Sequence, residues 1–187
     1  RDQFKPFIKI MEKQSIECEL KIEDDYRKTD HNQKQRYFYP LNQETNFKIN
    51  KFFRTITKEK SHSSKIINVK GRNFKIENFY EGVARFDFND LCNQNLGAED
   101  YLEIIQTCKF IILDNIPQFN DINSNQQHRF ITLIDIIYDK NIPLAVTAEQ
   151  NIDQFTSSRL LENSFKRTIS RLYELTSVER NNEARVL

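Results

Sequence analysis

Between Phe110 and Val146 the chain passes from an unbroken apolar run to an amphipathic stripe and back to a short apolar run, which restricts its fold more than any other feature. Phe110-Ile111-Ile112-Leu113 suits a strand covered on both faces. Phe130, Leu133, Ile134, Ile137 and Tyr138 recur at i, i+3, i+4, i+7 and i+8, the spacing of one helical face. Pro143-Leu144-Ala145-Val146 then reads as a second short strand. Strand, helix and strand in that order imply a parallel pair joined by a right-handed crossover, so the expected fold class is α/β.

The remaining segments extend that pattern. Lys65 to Phe88 predicts a meander of short strands with turns near Gly71 and Gly82. A helix opens at Leu96-Gly97-Ala98-Glu99-Asp100-Tyr101-Leu102. Phe47, Phe52, Phe53 and Ile56 predict an earlier helix, broken by Ser61-His62-Ser63-Ser64. The last helix is expected from Ser164, as its cap, to about Thr176, with Phe165, Ile169 and Leu172 inside. Near the amino end, Phe4, Phe7, Ile8 and Met11 share a helical face, and Ile16, Cys18, Leu20 and Ile22 alternate as a strand does. Glu23 to Thr45 is polar and reads as a loop or insertion anchored by Arg36-Tyr37-Phe38-Tyr39-Pro40. At 187 residues the chain can bury a core in one sizeable domain or two small ones.

Charge and composition exclude several function classes. With 29% charged residues and a formal net charge of +1, no global field favours a nucleic acid or an anionic membrane. Cys18, Cys92 and Cys108 are widely spaced and form no C-x-x-C, which argues against a disulfide framework and a zinc site. His31, His62 and His128 lack metal spacing, so no metal site is expected within this chain. No apolar run approaches the length of a membrane helix.

A phosphate-binding loop needs glycines, so that backbone N–H groups close on phosphate oxygens, and a Lys-Ser or Lys-Thr pair. The three glycines, Gly71, Gly82 and Gly97, are isolated, so neither G-x-x-x-x-G-K-[ST] nor G-x-G-x-x-G occurs. Phe110 to Asp114 resembles a Walker B strand, yet Asn115 stands where a second acid belongs, and Asp114 is expected to be structural. Asp135 and Asp139 lie one helical turn apart and read as a solvated face. Tyr26 to Tyr39 interleaves aromatic and basic residues, but Asp24, Asp25 and Asp30 dilute its charge for single-strand binding. Arg167 and Arg171 lie four apart on one helical face, a pair suited either to surface ion pairs or to an anion.

Several segments in order resemble the ZapE family of AAA+ ATPases, which includes the mitochondrial lactation-elevated, Afg-like proteins. They are Phe4-Lys5-Pro6-Phe7-Ile8, Asp25-Tyr26-Arg27, Tyr39-Pro40-Leu41, Phe86-Asp87-Phe88-Asn89-Asp90-Leu91-Cys92, Leu96-Gly97-x-x-Asp100-Tyr101-Leu102, Arg129-Phe130-Ile131-x-Leu133-Ile134-Asp135-x-x-Tyr138-Asp139 and Phe165-x-Arg167-Thr168-x-Ser170-Arg171-Leu172-x-Glu174. His128 departs from the family pattern, which commonly carries a further arginine there, and the stretch between Ala148 and Phe165 is short.

The resemblance implies a C-terminal portion of a P-loop ATPase, with residues 1–60 as the end of the AAA+ core carrying a polar insertion and 61–187 as a C-terminal α/β region. The Walker motifs would lie upstream, consistent with an opening at Arg1 rather than at a methionine. Arg1 matches an arginine-finger position, and Arg129, Arg167 and Arg171 match family arginines able to act as a sensor-two group at bound nucleotide. ATP and Mg2+ are implied for the intact protein, and neither nucleotide binding nor hydrolysis is expected of this chain alone. The implied partners are a Walker-containing N-terminal half, further copies in an oligomer, and a protein acting in division or quality control; nucleic acid is not favoured. The implied location is the bacterial cytoplasm, or the mitochondrial matrix in a eukaryote. The alternative is a stand-alone interaction module or the remnant of a split gene, without chemistry.

Overall fold

The computed structural model describes residues 36–69 and 71–177, all within the compact unit Lys34–Leu187. The helix expected at Phe4–Met11 and the strand expected at Ile16–Ile22 lie outside the described residues. In chain order the elements are β1 (Tyr37–Phe38), α1 (Gln43–Thr57), β2 (His62–Val69), β3 (Arg72–Tyr80), β4 (Val83–Asp87), α2 (Phe88–Cys92), α3 (Ala98–Ile105), β5 (Phe110–Ile116), α4 (Ser124–Asp139), β6 (Leu144–Ala148) and α5 (Glu162–Thr176). Short 3-10 turns at Ile152–Gln154 and Arg159–Leu161 lead into α5.

Among the described residues the fold is mixed α/β, a six-stranded sheet in the order β1-β6-β5-β4-β3-β2 with five helices. β1, β6, β5 and β4 run parallel, and β3 and β2 complete the sheet as antiparallel strands. The two-residue period of β5 and β6 divides their side chains between two layers. Ile111, Leu113, Leu144 and Val146 enter the large core beneath α3, α4 and α5, whereas Ile112 and Ala145 meet Ile49, Phe52 and Phe53 of α1 on the opposite face. A strand buried on both faces must read as a continuous apolar run, which is the pattern at Phe110–Leu113.

The meander forms with its turns where expected. β3 and β4 are joined by Glu81 and Gly82, both at positive φ (49° and 99°), as a two-residue hairpin turn requires. A Cβ on Gly82 would meet only the flexible Lys109 side chain, at 3.0 Å, so the backbone conformation dominates the effect of substitution. Gly82→Ala is expected to lower the unfolding free energy by about 1–2 kcal/mol in urea titrations. An unchanged midpoint would refute that assignment of strain.

Three local expectations need correction. Tyr37–Phe38 is not loop but a strand, in register with Val146–Thr147. Only the neighbouring strand reveals so short an element. Ser61-His62-Ser63-Ser64 does not simply break α1, because β2 already begins at His62. α5 starts two residues before Ser164; the preceding 3-10 turn runs straight into it, and the Ser164 carbonyl accepts from Thr168 Oγ1 at 3.3 Å. β1 pairs with β6, and Ile49 of α1 packs against Ile112 of β5 and Ala145 of β6.

Candidate functional site

In an open parallel sheet, ligands bind outside the carboxyl ends of the strands, where successive helices diverge to opposite faces. Here that point lies between β1 and β6, with α1 on one face and α5 on the other. The turn after β1 is Tyr39-Pro40-Leu41-Asn42, with a cis Tyr39–Pro40 peptide bond. Asn42 caps α1, its side-chain oxygen accepting from Thr45 N at 2.9 Å. Phenols fill the crevice: Tyr37 donates its hydroxyl to the Gln150 carbonyl at 2.7 Å, and Asn151 Nδ2 donates to the Tyr39 oxygen at 3.1 Å. Burial, followed by the nearby Tyr173, raises the Tyr37 pKa, so its hydroxyl serves as a donor. The first turn of α1 carries Glu44, paired with Lys48 at 2.6 Å, which repels a phosphate there.

On the α1 face of the sheet, Asp114 belongs to a polar network joining four elements. Arg85 of β4 reaches Asp114 of β5 at 2.5 Å and donates to Asn50 of α1 at 2.8 Å, with its guanidinium 5.1 Å from the Phe53 ring centroid. Thr147 of β6 donates to the other Asp114 oxygen at 3.2 Å and accepts from Asn115 N at 2.8 Å. The Asp114 carboxylate is thus neutralised by a guanidinium rather than presented to a cation. Among the described residues no group of three or more His, Cys, Asp or Glu is placed to hold a metal ion. The turn after β1 holds no glycine-built anion cradle, and the Asp114 carboxylate on β5 is engaged by Arg85.

The arginines singled out in the sequence occupy different places. Arg167 and Arg171, on α5, converge on Asp135 of α4; the Arg167 contact is 3.1 Å, and the second is an ion pair from Arg171 Nη1. Arg171 also lies 4.8 Å from the Tyr138 ring centroid, and Tyr138 donates to Glu174 at 2.9 Å. Asp135 is thereby committed to a structural pairing rather than to an acid–base couple with Asp139. Arg129 stands apart from this cluster, donating to the Cys92 carbonyl at the end of α2 at 3.3 Å. Arg1 lies outside the described residues.

Arg36, which the sequence marked only as part of an aromatic anchor, has a clear structural task. Its buried guanidinium donates to the Leu175 carbonyl at 3.1 Å and the Ser177 carbonyl at 2.6 Å, at the end of α5, and lies over Phe110. Burial lowers its pKa to about 10, leaving it cationic against the negative end of the helix dipole. The free thiols Cys92 and Cys108 are buried, and burial raises the Cys108 pKa to about 11. No described helix is long and apolar enough to cross a membrane.

Comparison with known proteins places these features in a lineage. The AFG1-like ATPase family matches residues 1–183. The chain is 29% identical over 157 residues to an uncharacterized protein of Schizosaccharomyces pombe, covering 82% of this chain and 34% of that one. It is 27% identical over 157 residues to lactation elevated protein 1 homolog B of Danio rerio, covering 82% and 31% respectively. It is 24% identical over 179 residues to the cell division protein ZapE of Escherichia coli, covering 96% and 48%. The chain therefore spans about a third to a half of these relatives. No solved structure gives a significant match. With nearly its whole length matched by one family, the chain belongs to the AFG1-like ATPases.

Proposed function

We propose that this chain is the carboxyl-terminal portion of an AFG1-like ATPase, one that does not itself bind or hydrolyse nucleotide. The observation that carries the reading is the turn between β1 and α1. It stands where a strand–loop–helix phosphate site would stand, yet holds Tyr39-Pro40-Leu41-Asn42 without a glycine or a Lys-Ser/Thr pair. ATP and Mg2+ would then be bound by a Walker-containing portion elsewhere, and this domain would contribute arginines to it. Arg167 suits that role best of the three described candidates, being 60% exposed and sharing its carboxylate partner with Arg171. Arg171 and Arg129 are second choices, and Arg1 is assigned the finger position in a neighbouring copy of an oligomer. A role in division, taken from the name of the Escherichia coli relative, and one in mitochondrial quality control, implied by the family resemblance, belong to the same proposal.

ATP turnover tests this reading, measured for the chain alone and for its mixture with a separately produced Walker-containing portion of the family. The chain alone is expected to be silent and the mixture active above the Walker portion by itself. Arg1→Ala or Arg167→Ala is expected to lower the mixture's rate at least tenfold, since an arginine finger contributes about 10³–10⁵ in rate. Turnover by the chain alone would sink the proposal, as would a mixture no faster than the Walker portion.

A further inference from the structure

β3 is paired unequally on its two sides. It pairs with β2 from Arg72 to Tyr80, but with β4 only from Asn78 to Tyr80. Among the described residues no strand pairs with Arg72–Glu77 on the β4 side. β4 instead turns into α2 at Phe88, leaving a fork between the two strands. The fork is a cleft of about 680 Å³, lined by the first half of β3, the carboxyl ends of β4 and β5, and the Gln94–Leu96 loop.

The direction of the open backbone groups follows from the ladder. Val69 and Arg72 flank a two-residue turn and so form a hydrogen-bonding pair. By alternation Arg72, Phe74 and Ile76 bond to β2, while Asn73 and Lys75 turn their N–H and C=O groups into the fork. An irregularity between Ser63 and Lys65, where β3 carries an extra residue, resets the phase so that Asn78 and Tyr80 bond to β4. No backbone partner is seen for Asn73 or Lys75 on the fork side among the described residues. Six residues of open edge span about 17 Å at the strand repeat.

The walls define what would pair there. Phe74, Phe86 and Leu96 supply an apolar side. The acids are Glu77, Asp87, Asp90, Asp100 and Asp114, against the cations Arg72, Lys75 and Arg85. Each cation is already matched: Arg72 with Asp100 at 2.8 Å, Lys75 with Glu77 at 2.9 Å, and Arg85 with Asp114 at 2.5 Å. Asp87 and Asp90 are left with hydrogen bonds from Asn89, Asn115 and the Asp87 backbone N–H. The cleft therefore carries an excess of two negative charges. Arg72 also donates to the Asn95 carbonyl at 3.3 Å, bridging the mouth. A fork walled by β4 and α2 admits one extended segment and excludes the edge of another sheet.

We propose that this fork binds an extended polypeptide segment with alternating apolar and basic side chains, which adds to the sheet along Arg72–Glu77. Backbone pairing with Asn73 and Lys75 supplies affinity, the apolar side receives every second side chain, and the surplus carboxylates select lysine or arginine between them. The site is independent of the nucleotide reading above.

The test uses the full chain and a fluorescein-labelled ten-residue peptide of alternating valine and lysine, with a valine–glutamate peptide as comparison, followed by anisotropy and by amide hydrogen exchange. Saturable binding of the lysine peptide is expected, weakening at high salt, with new protection at the Asn73 and Lys75 amides. Asn73→Pro and Lys75→Pro each remove an N–H that faces the fork, together with the side-chain contact to Asn68 or Glu77; an edge position tolerates proline, and each should weaken binding at least tenfold while leaving the thermal unfolding cooperative. Asp90→Asn should weaken it several-fold. Equal binding of the glutamate peptide, or unchanged affinity in a folded proline variant, would overturn the proposal. So would amides at Asn73 and Lys75 already protected before peptide is added, because the chain itself would then fill the fork.

Discussion

Phe119→Ala is expected to remove about 3–5 kcal/mol of unfolding free energy, the range for an aromatic side chain deleted from a core. Phe119 belongs to no helix or strand, yet it is 0% exposed. Its ring contacts Phe130 at 5.3 Å, Phe165 at 5.4 Å, Phe88 at 5.9 Å and Phe155 at 6.1 Å, measured between centroids. One loop side chain thus joins α2, α4, α5 and the segment before α5. The same loop is fastened by polar contacts: Thr156 donates its hydroxyl to the Phe119 carbonyl at 2.6 Å, and Gln118 accepts from Thr156 N at 2.9 Å. Alanine would leave a cavity walled by rings from separate elements, which cannot collapse together. Leucine should keep about half of the lost stability. Urea unfolding of the wild type and both variants measures this, with a fall in Tm of roughly 2–4 °C per kcal/mol for a domain of this size. A loss below about 1 kcal/mol would show that Phe119 does not organise the core.

Arg85→Met is expected to cost about 3 kcal/mol, because it strands the Asp114 carboxylate. The side chains of Arg85 and Asp114 are 19% and 14% exposed, so water replaces the lost guanidinium poorly. Asn50 and Thr147 lose part of their network at the same time. The double variant Arg85→Met/Asp114→Leu should recover most of the loss, since a buried pair exchanged for apolar groups of similar volume is close to neutral. A double-mutant cycle in urea is expected to return a coupling above about 1 kcal/mol. Coupling near zero would mean that the two groups are solvated separately and that Asp114 is available to another ligand.

These predictions rest on features of different legibility. Phe110–Leu113, the stripe from Phe130 to Tyr138 and Pro143–Val146 announced β5, α4 and β6, because burial on both faces and a 3.6-residue period leave their mark within one element. Gly71 and Gly82 marked the meander turns for a similar reason, a local demand on φ. Arg167 and Arg171 were visible as a pair on one helical face, but their convergence on Asp135 was not, because it depends on how α4 and α5 lie together. Phe119 resembled any other apolar residue between Pro117 and Gln118 on one side and a polar turn on the other. Arg36 was visible only as part of an aromatic anchor, since nothing nearby in sequence shows that its guanidinium meets the end of α5.

The sequence by itself determined the α/β class, the order of the central elements, the absence of a phosphate loop within these 187 residues and the resemblance to an ATPase family. Those properties are carried by periodicity and by motif, which neighbouring residues define. Only the tertiary structure decided that Tyr37–Phe38 joins the sheet, that Asp114 is held by Arg85, that Phe119 lies at the centre of the aromatic cluster and that β3 parts from β4 to leave an open edge. Each of these depends on residues distant in the chain coming within a few ångströms, and a local pattern does not encode which distant partner a buried ring, a charge or a strand edge will meet.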